Sequence, residues 1–139
     1  MRNLLLILFS LAFFNSKACD CKPYKIDSVS IINALNFSET VVIGDIVEIV
    51  QEASSSNGGI RVVKIKVFKN YKGEKIDELI NLKLYVSSPS CGITLKKGIR
   101  HLVYVYKDKD KGLMTNICTR TRVFTSYLFD PIILDKLVK

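Results

Sequence analysis

The stretch that decides the fold is IRVVKIKVFK, residues 60–69, in which apolar and basic residues alternate. In an extended chain, Val63 and Ile65 point to one side, and Lys64 and Lys66 point to the other. This period of two predicts a strand with one face in an apolar core and one face in water. The segment therefore belongs to a sheet, and the sequence on both sides of it supplies further strands.

Four further segments have the β-branched or alternating composition of strands. Turn-forming runs, SSSNGG at 54–59 and KDKDKG at 107–112, separate two pairs of neighbouring strands. Gly44 lies inside the first segment and predicts a bulge or bend there. Five short strands in one small domain predict a mainly β fold, a closed five-stranded β-barrel. The four segments are TVVIGDIVEIV (40–50), ELINLKLYV (78–86), IRHLVYVY (99–106) and LMTNIC (113–118).

A short helix is predicted before the first strand, in residues 26–39. Asp27 or Ser28 is placed to cap its N-terminus, because a short polar side chain there accepts a hydrogen bond from the first helical turn. Apolar residues recur with a spacing of three, as they do on one face of a helix. They are Ile26, Val29, Ile32 and Leu35.

A second short helix is predicted after the last strand, in residues 130–139. Asp130 is the predicted capping residue, and Pro131 is predicted at the first helical position, where its missing N–H costs nothing. The apolar residues that follow predict the face that packs on the barrel. They are Ile132, Ile133 and Leu137.

The start of the sequence has the organisation of an export signal. After a basic start, LLLILFSLAFF (4–14) is apolar, and the small residues Ser16 and Ala18 occupy the positions that a signal peptidase reads. The apolar run is too short to be a stable membrane anchor. We therefore predict a signal peptide at residues 1–18, one domain at 19–139, and a secreted protein, either extracellular or periplasmic.

Cleavage after Ala18 makes Cys19 the first residue of the mature chain, and this leaves one alternative open. In a lipoprotein, the cysteine after the cleavage site carries a lipid anchor. Ser16 stands where such signals usually have an aliphatic residue, and a lipidated Cys19 leaves one of the four cysteines without a partner. An even number of cysteines in an exported chain indicates two disulfides, so we favour the unmodified terminus.

The sequence lacks the residue patterns of the common catalytic sites. Its single histidine, His101, lies between apolar residues of a predicted strand and has no obvious acidic partner in the sequence. There is no glycine-rich phosphate loop. The spacing of the four cysteines does not match the two close pairs of a zinc ribbon or finger. We therefore predict a protein that is not an enzyme and has no cofactor or structural metal of its own.

Basic residues cluster on and just after the strand at 60–69, and this surface is a candidate for binding a partner. The whole sequence has 21 Lys and Arg against 13 Asp and Glu, a net charge of +8. Export argues against binding to nucleic acid, so acidic glycans or an anionic membrane surface are the expected ligands. The other interpretation is a lysine-rich face that keeps the sheet soluble. The cluster contains Arg61, Lys64, Lys66, Lys69 and Lys72, with Phe68 and Tyr71 between them.

The cysteines and strands together resemble a known family, the tissue inhibitors of metalloproteinases (TIMPs), whose inhibitory part is a netrin-like (NTR) domain. CDCKP at residues 19–23 resembles the Cys-x-Cys-x-Pro that opens these inhibitors. VFKNYKG (67–73) resembles their aromatic-Lys-Gly element, and PSCGITLKKGIRHLVYVY (89–106) resembles the Cys-Gly stretch before a strand. TNICTRT (115–121) resembles a later cysteine segment. The similarity is to a minimal, single-domain version of the family.

The resemblance implies an OB-like barrel and two disulfides, Cys19–Cys91 and Cys21–Cys118, whereas the sequence alone allows three pairings of four cysteines. It also implies the mode of inhibition. The α-amine nitrogen and the carbonyl oxygen of Cys19 bind the catalytic zinc of the partner, a zinc metalloprotease, and displace its attacking water. We expect the protein to be a monomer. The residues that the resemblance places at the protease are Cys19, Asp20, Cys21, Lys22, Pro23, Pro89 and Ser90.

Asp20 departs from the family, which usually has Thr or Ser between the two cysteines, where the side chain enters the specificity pocket of the protease. A carboxylate is costly to bury in an apolar pocket. Either the target has a basic or polar pocket, or inhibition of the family's usual targets is weak. NTR-like domains also bind other proteins or glycans without inhibiting a protease. A non-inhibitory extracellular binding module for a protein, glycan or membrane surface is therefore the alternative function.

Overall fold

A computed structural model of the chain describes residues 21, 24–51, 59–73, 79–85 and 92–138. These residues form two helices and six strands. The fold is mainly β, as predicted. In chain order the elements are α1 (Ser28–Phe37), β1 (Thr40–Gln51), β2 (Ile60–Lys72), β3 (Leu79–Tyr85), β4 (Arg100–Asp108), β5 (Gly112–Met114), β6 (Arg122–Val123) and α2 (Phe129–Leu137).

Five of the strands close into a barrel. Their order is β1-β2-β3-β5-β4, and β4 pairs with β1 to complete the circle. The β3–β5 pair is parallel, while the other pairs in the barrel are antiparallel. The short β6 adds to the sheet by pairing with β4. This order is that of an OB-type barrel, so the predicted fold class is confirmed.

The alternating pattern of β2 and β3 places their apolar residues inside the barrel. Val63 and Ile65 of β2 are buried there, and Lys66 lies on the exposed outer face. Valines and isoleucines of β1 and β4 meet them across the interior. The buried cluster contains Val42, Ile46, Val63, Ile65, Ile80, Leu82, Leu84, Leu95, Val103 and Val105. Val86, predicted to share this face, lies outside the described residues.

Strand β4 is buried on both faces, which its sequence alone did not predict. Val103 and Val105 face the barrel interior. Leu102 and Tyr104 face outward, where the two helices cover them in a second apolar cluster. A strand that is covered on both sides needs no polar face, and the middle of β4, residues 102–105, accordingly contains no charged residue.

Gly44 marks a break in the register between β1 and β2, as predicted. A Cβ atom at this position would lie 2.5 Å from Cγ2 of Ile65 and 2.7 Å from the carbonyl oxygen of Lys66. Both distances are far below van der Waals contact, so only glycine fits where the two strands approach. The cross-strand partner of Gly44 on β4 is His101.

Helix α1 begins as predicted, because Oδ1 of Asp27 accepts a hydrogen bond from the N–H of Ser30 (2.7 Å). The predicted apolar face is wrong in part. Ile31 is the fully buried residue, with Ala34 and Leu35 packed beside it, whereas Ile26 and Val29 are exposed. The residues that contact the barrel are spaced i, i+3 and i+4. A constant spacing of three, as in the predicted face, does not stay on one side of a helix with 3.6 residues per turn.

Helix α2 corrects the predicted role of Asp130. The helix begins at Phe129, after an N-cap residue, Leu128, whose side chain makes no capping hydrogen bond. Asp130 lies within the first turn and is buried in an ion pair. The inner face consists of Leu134 and the partly buried Ile133. Ile132 and Leu137, which were predicted to face inward, are about half exposed.

Candidate functional site at the anchored N-terminal segment

The predicted inhibitory residues fall largely outside the described part of the chain. Cys21 is the one that the structure describes. It forms the disulfide with Cys118 that the family resemblance implies, with 5.1 Å between the two Cα atoms. The Cys19–Cys91 pairing also lies outside the described residues. Those not described are Cys19, Asp20, Lys22, Pro23, Pro89, Ser90 and Cys91.

Cys118 lies in a turn that is fixed to the barrel. Oδ1 of Asn116 accepts hydrogen bonds from the N–H groups of Cys118 (2.9 Å) and Thr119 (3.1 Å). The hydroxyl of Thr115 donates to the carbonyl oxygen of Tyr104 in β4 and lies 2.8 Å from the hydroxyl of Thr119. The disulfide therefore ties Cys21 to a turn with little freedom of its own.

Noncovalent contacts hold the residues after Cys21 against the same turn. The hydroxyl of Tyr24 donates to the carbonyl oxygen of Ile117 (3.1 Å). Nη1 of Arg120 donates to the carbonyl oxygen of Lys25 (3.0 Å). The guanidinium of Arg120 also lies 5.3 Å from the centre of the Tyr24 ring, within the range of a cation–π contact. The chain is thus anchored at Cys21, Tyr24 and Lys25.

Arg120 is itself held by a buried ion pair with Asp130. The side chains of both residues are 1% exposed, and two hydrogen bonds of 2.7 Å join them, from Nε to Oδ2 and from Nη2 to Oδ1. The hydroxyl of Tyr104 donates to Oδ2 (3.0 Å), and Nη2 of Arg122 lies 3.3 Å from both carboxylate oxygens. Charges can be buried in this way because each one is paired and hydrogen-bonded.

The protonation of this cluster follows from its contacts. Burial on its own raises the pKa of Asp130, but the hydrogen bonds and positive charges of Arg120 and Arg122 outweigh burial, so the pKa lies below its usual value. Burial and the neighbouring carboxylate raise the pKa of Tyr104. Near neutral pH the carboxyl is therefore ionised, and the tyrosine hydroxyl is a neutral donor.

Several lysines of the lysine-rich surface form ion pairs or hydrogen bonds within the protein, which the sequence did not predict. Nζ of Lys64 lies 2.6 Å from Glu48, and Nζ of Lys69 lies 2.6 Å from Asp135. Lys72 donates to the last carbonyl groups of α1. Within the described part of the chain, Lys66 has no ion pair or hydrogen bond of its side chain.

His101 is buried at 2% exposure, with Nδ1 lying 2.9 Å from the carbonyl oxygen of Ile99. Burial lowers the pKa of the imidazole, and the hydrogen bond to Ile99 offsets this only in part. The ring is therefore neutral at neutral pH. Among the described residues, no acidic side chain is hydrogen-bonded to the ring, and a structural role is the simplest interpretation.

We expect acid to destabilise the fold through His101. The folded-state pKa lies below the unfolded value of about 6.5, so the unfolded chain binds a proton first as the pH falls. The free energy of unfolding then decreases by up to about 1.4 kcal/mol per pH unit, until the folded-state pKa is passed. Urea unfolding of the wild type and of His101→Gln, between about pH 7.5 and 5, measures this slope. A slope that His101→Gln retains in full would contradict the assignment.

Two further observations concern metal binding and membrane insertion of the described residues. They contain no group of three or more His, Cys, Asp and Glu side chains that could hold a metal ion. Neither of the helices described is long and apolar enough to cross a bilayer.

In comparisons with known proteins, no family model matches the chain and no curated protein is significantly similar to it.

Proposed function

We propose that the protein is an exported, non-enzymatic inhibitor of a zinc metalloprotease, similar to the TIMPs. The α-amine and the carbonyl oxygen of Cys19 bind the zinc of the protease. The observation that carries the proposal is the anchoring of Cys21, two residues after Cys19, by its disulfide to Cys118. The hydrogen bonds of Tyr24 and Arg120 extend this anchoring along the chain. The OB-type order of the barrel strands also supports the proposal.

The proposed chemistry suits a catalytic zinc ion. Such an ion keeps one coordination position open and can accept a fifth ligand. An α-amine has a pKa of about 8, and a bound metal ion displaces its proton near neutral pH. Because Cys21, Tyr24 and Lys25 are already fixed, binding costs less conformational entropy than it would for a free terminus.

The test begins with the exported product of the full chain. Mass spectrometry should show that it starts at Cys19 and that this residue carries no modification. The same preparation should inhibit at least one member of a panel of zinc metalloproteases, with a stoichiometry of one to one. A product that starts elsewhere, or that carries a lipid on Cys19, would exclude the mechanism.

The second candidate function is an extracellular binding module, and the uncovered outer face of the sheet favours it. The helices cover the outer faces of β1 and β4, but a groove of about 470 Å³ remains open across β1, β2 and β3. OB folds commonly bind ligands on the face of strands 2 and 3. Lys66 and Lys83 of this face carry charges suited to an acidic glycan or an anionic membrane surface. The groove is lined by Glu48, Val50, Val62, Lys64, Asn81 and Lys83.

If this face binds acidic glycans, Lys66→Glu/Lys83→Glu will weaken heparin binding about ten-fold or more at low salt, because two attractive charges become repulsive. Isothermal titration calorimetry with heparin measures the effect. The matched control is Lys107→Glu/Lys109→Glu, the same charge change at exposed positions around the β4–β5 turn. Equal weakening by both pairs would mean that only net charge matters. Protease inhibition should be unchanged in both variants.

A further inference from the structure

A cavity of about 220 Å³ lies beside the anchored segment, between α1, β4 and the turn that carries Cys118. Its volume lies between the roughly 150 Å³ of an apolar cavity that binds benzene and the roughly 300 Å³ at which ordinary ligand pockets begin. It can therefore hold a molecule with a single ring and a small substituent. Neither the barrel interior nor the inhibition mechanism needs this space.

The apolar walls of the cavity include Tyr24, Ala34 and Phe37. Phe37 is the last residue of α1 and is 82% exposed, although a phenylalanine ring gains free energy when it is buried. A ligand in the cavity would cover part of this ring. The walls thus favour a ligand with an apolar body over a simple inorganic ion.

The polar side of the cavity is positively charged. Arg120 lines it, and the cluster behind it contains two guanidinium groups, the buried Arg120 and the one-third exposed Arg122, against one buried carboxylate, Asp130. The cluster therefore carries one excess positive charge. Because the protein walls exclude part of the water from the cavity, this charge attracts an anion more strongly than it would at a fully exposed surface.

Ser30 adds a hydrogen-bond donor at the same place. Ser30 lines the cavity, and its Oγ atom accepts a hydrogen bond from Nη1 of Arg120 (3.1 Å). That contact uses a lone pair of Ser30, so its hydroxyl hydrogen stays available to donate. Among the described residues, no acceptor for this hydrogen is found.

We propose that this cavity is a binding site for a small organic anion with an apolar body, such as an aryl carboxylate. The carboxylate lies at the Arg120 side and accepts a hydrogen bond from Ser30. The apolar body packs between Tyr24 and Phe37. The site is independent of zinc chelation, because it uses none of the atoms of Cys19.

The experiment titrates the exported, disulfide-bonded protein with three probes and follows backbone amide signals by NMR. Phenylacetate has the ring and the charge, 2-phenylethanol has the ring without the charge, and acetate has the charge without the ring. We expect phenylacetate to bind with a Kd of about 1 mM and to shift the amides of Ser30 and Phe37. The other two probes should bind at least about ten-fold more weakly.

Two variants locate the site. Phe37→Ala removes an exposed wall and Ser30→Ala removes the donor, and each should weaken phenylacetate binding at least about five-fold. The matched control is Tyr127→Ala, which removes an aromatic ring that is 94% exposed and does not line the cavity. Thermal unfolding checks that all three variants are folded.

Three results would overturn the proposal. The first is the absence of amide shifts with phenylacetate at about 20 mM, well above the expected Kd. The second is equal binding of phenylacetate and 2-phenylethanol, because the charged cluster would then contribute nothing. The third is an equal effect of Phe37→Ala and Tyr127→Ala, which would place any binding elsewhere on the surface.

Discussion

If the protein inhibits a zinc metalloprotease as proposed, one alanine added before Cys19 will strongly weaken that inhibition. The extension turns the α-amine into a peptide nitrogen, whose lone pair is delocalised into the carbonyl group. That nitrogen no longer binds zinc near neutral pH. The added residue also occupies the space that the metal needs. We expect inhibition to weaken at least about 100-fold, or ~2.7 kcal/mol.

The fold should be unaffected by this extension, because the disulfide at Cys21 and the contacts of Tyr24 and Lys25 do not involve the α-amine. The matched control carries one alanine after Lys139, which has the same added mass at the other end of the chain. Inhibition constants for the exported product and both extended proteins give the result. Equal inhibition by all three would rule out chelation through Cys19 but would leave other modes of binding open.

Asp130→Ala will destabilise the protein by about 3–5 kcal/mol, the usual cost of breaking a buried ion pair by removing one partner. The guanidinium of Arg120 would then be buried without a counter-ion. The group of Arg122, which also lies 3.3 Å from the carboxylate, would add to the uncompensated charge. Urea unfolding at neutral pH measures the loss, and the slope of the transition shows whether the fold is otherwise intact.

The matched control is Asp45→Ala. Asp45 also makes two hydrogen bonds to an arginine, Arg100, but the side chains in this pair are 38% and 37% exposed. Its loss should cost no more than about 1 kcal/mol. A double variant, Arg120→Met/Asp130→Leu, should be more stable than Asp130→Ala, because it leaves no unpaired partner at these two positions. Equal losses for Asp130→Ala and Asp45→Ala would contradict the role given to burial.

The barrel could be predicted because β2 and β3 have one face in the core and one in water. Val63 and Ile65 alternate with lysines, and the alternation is a local property of the chain. The order of the strands is not local. Nothing in the sequence indicates that β3 and β5 pair in parallel, through Lys83 and Met114, or that β4 is covered on its outer side by both helices.

The site was harder to predict, because its contacts join residues that are far apart in sequence. An aspartate before a proline at the start of a helix is the usual signature of a cap, and Asp130 has that signature. Its partner, Arg120, lies in an irregular turn. The sequence signal for the Arg120–Asp130 ion pair is that basic residues in this turn precede a helix with an acidic residue in its first turn. The Cys21–Cys118 disulfide could be predicted only from the family resemblance, because the sequence alone allows three pairings of the four cysteines.

Arg120 also bears on how the molecule is made. It binds the carbonyl oxygen of Lys25 near the beginning of the chain and the carboxylate of Asp130 near its end. A polypeptide that leaves the ribosome and crosses a membrane from its amino end exposes Lys25 long before Asp130 arrives. If the protein is exported as proposed, the contacts of Arg120 with both ends of the chain are therefore complete only when translocation is almost finished, and the proposed inhibitory site is complete only then.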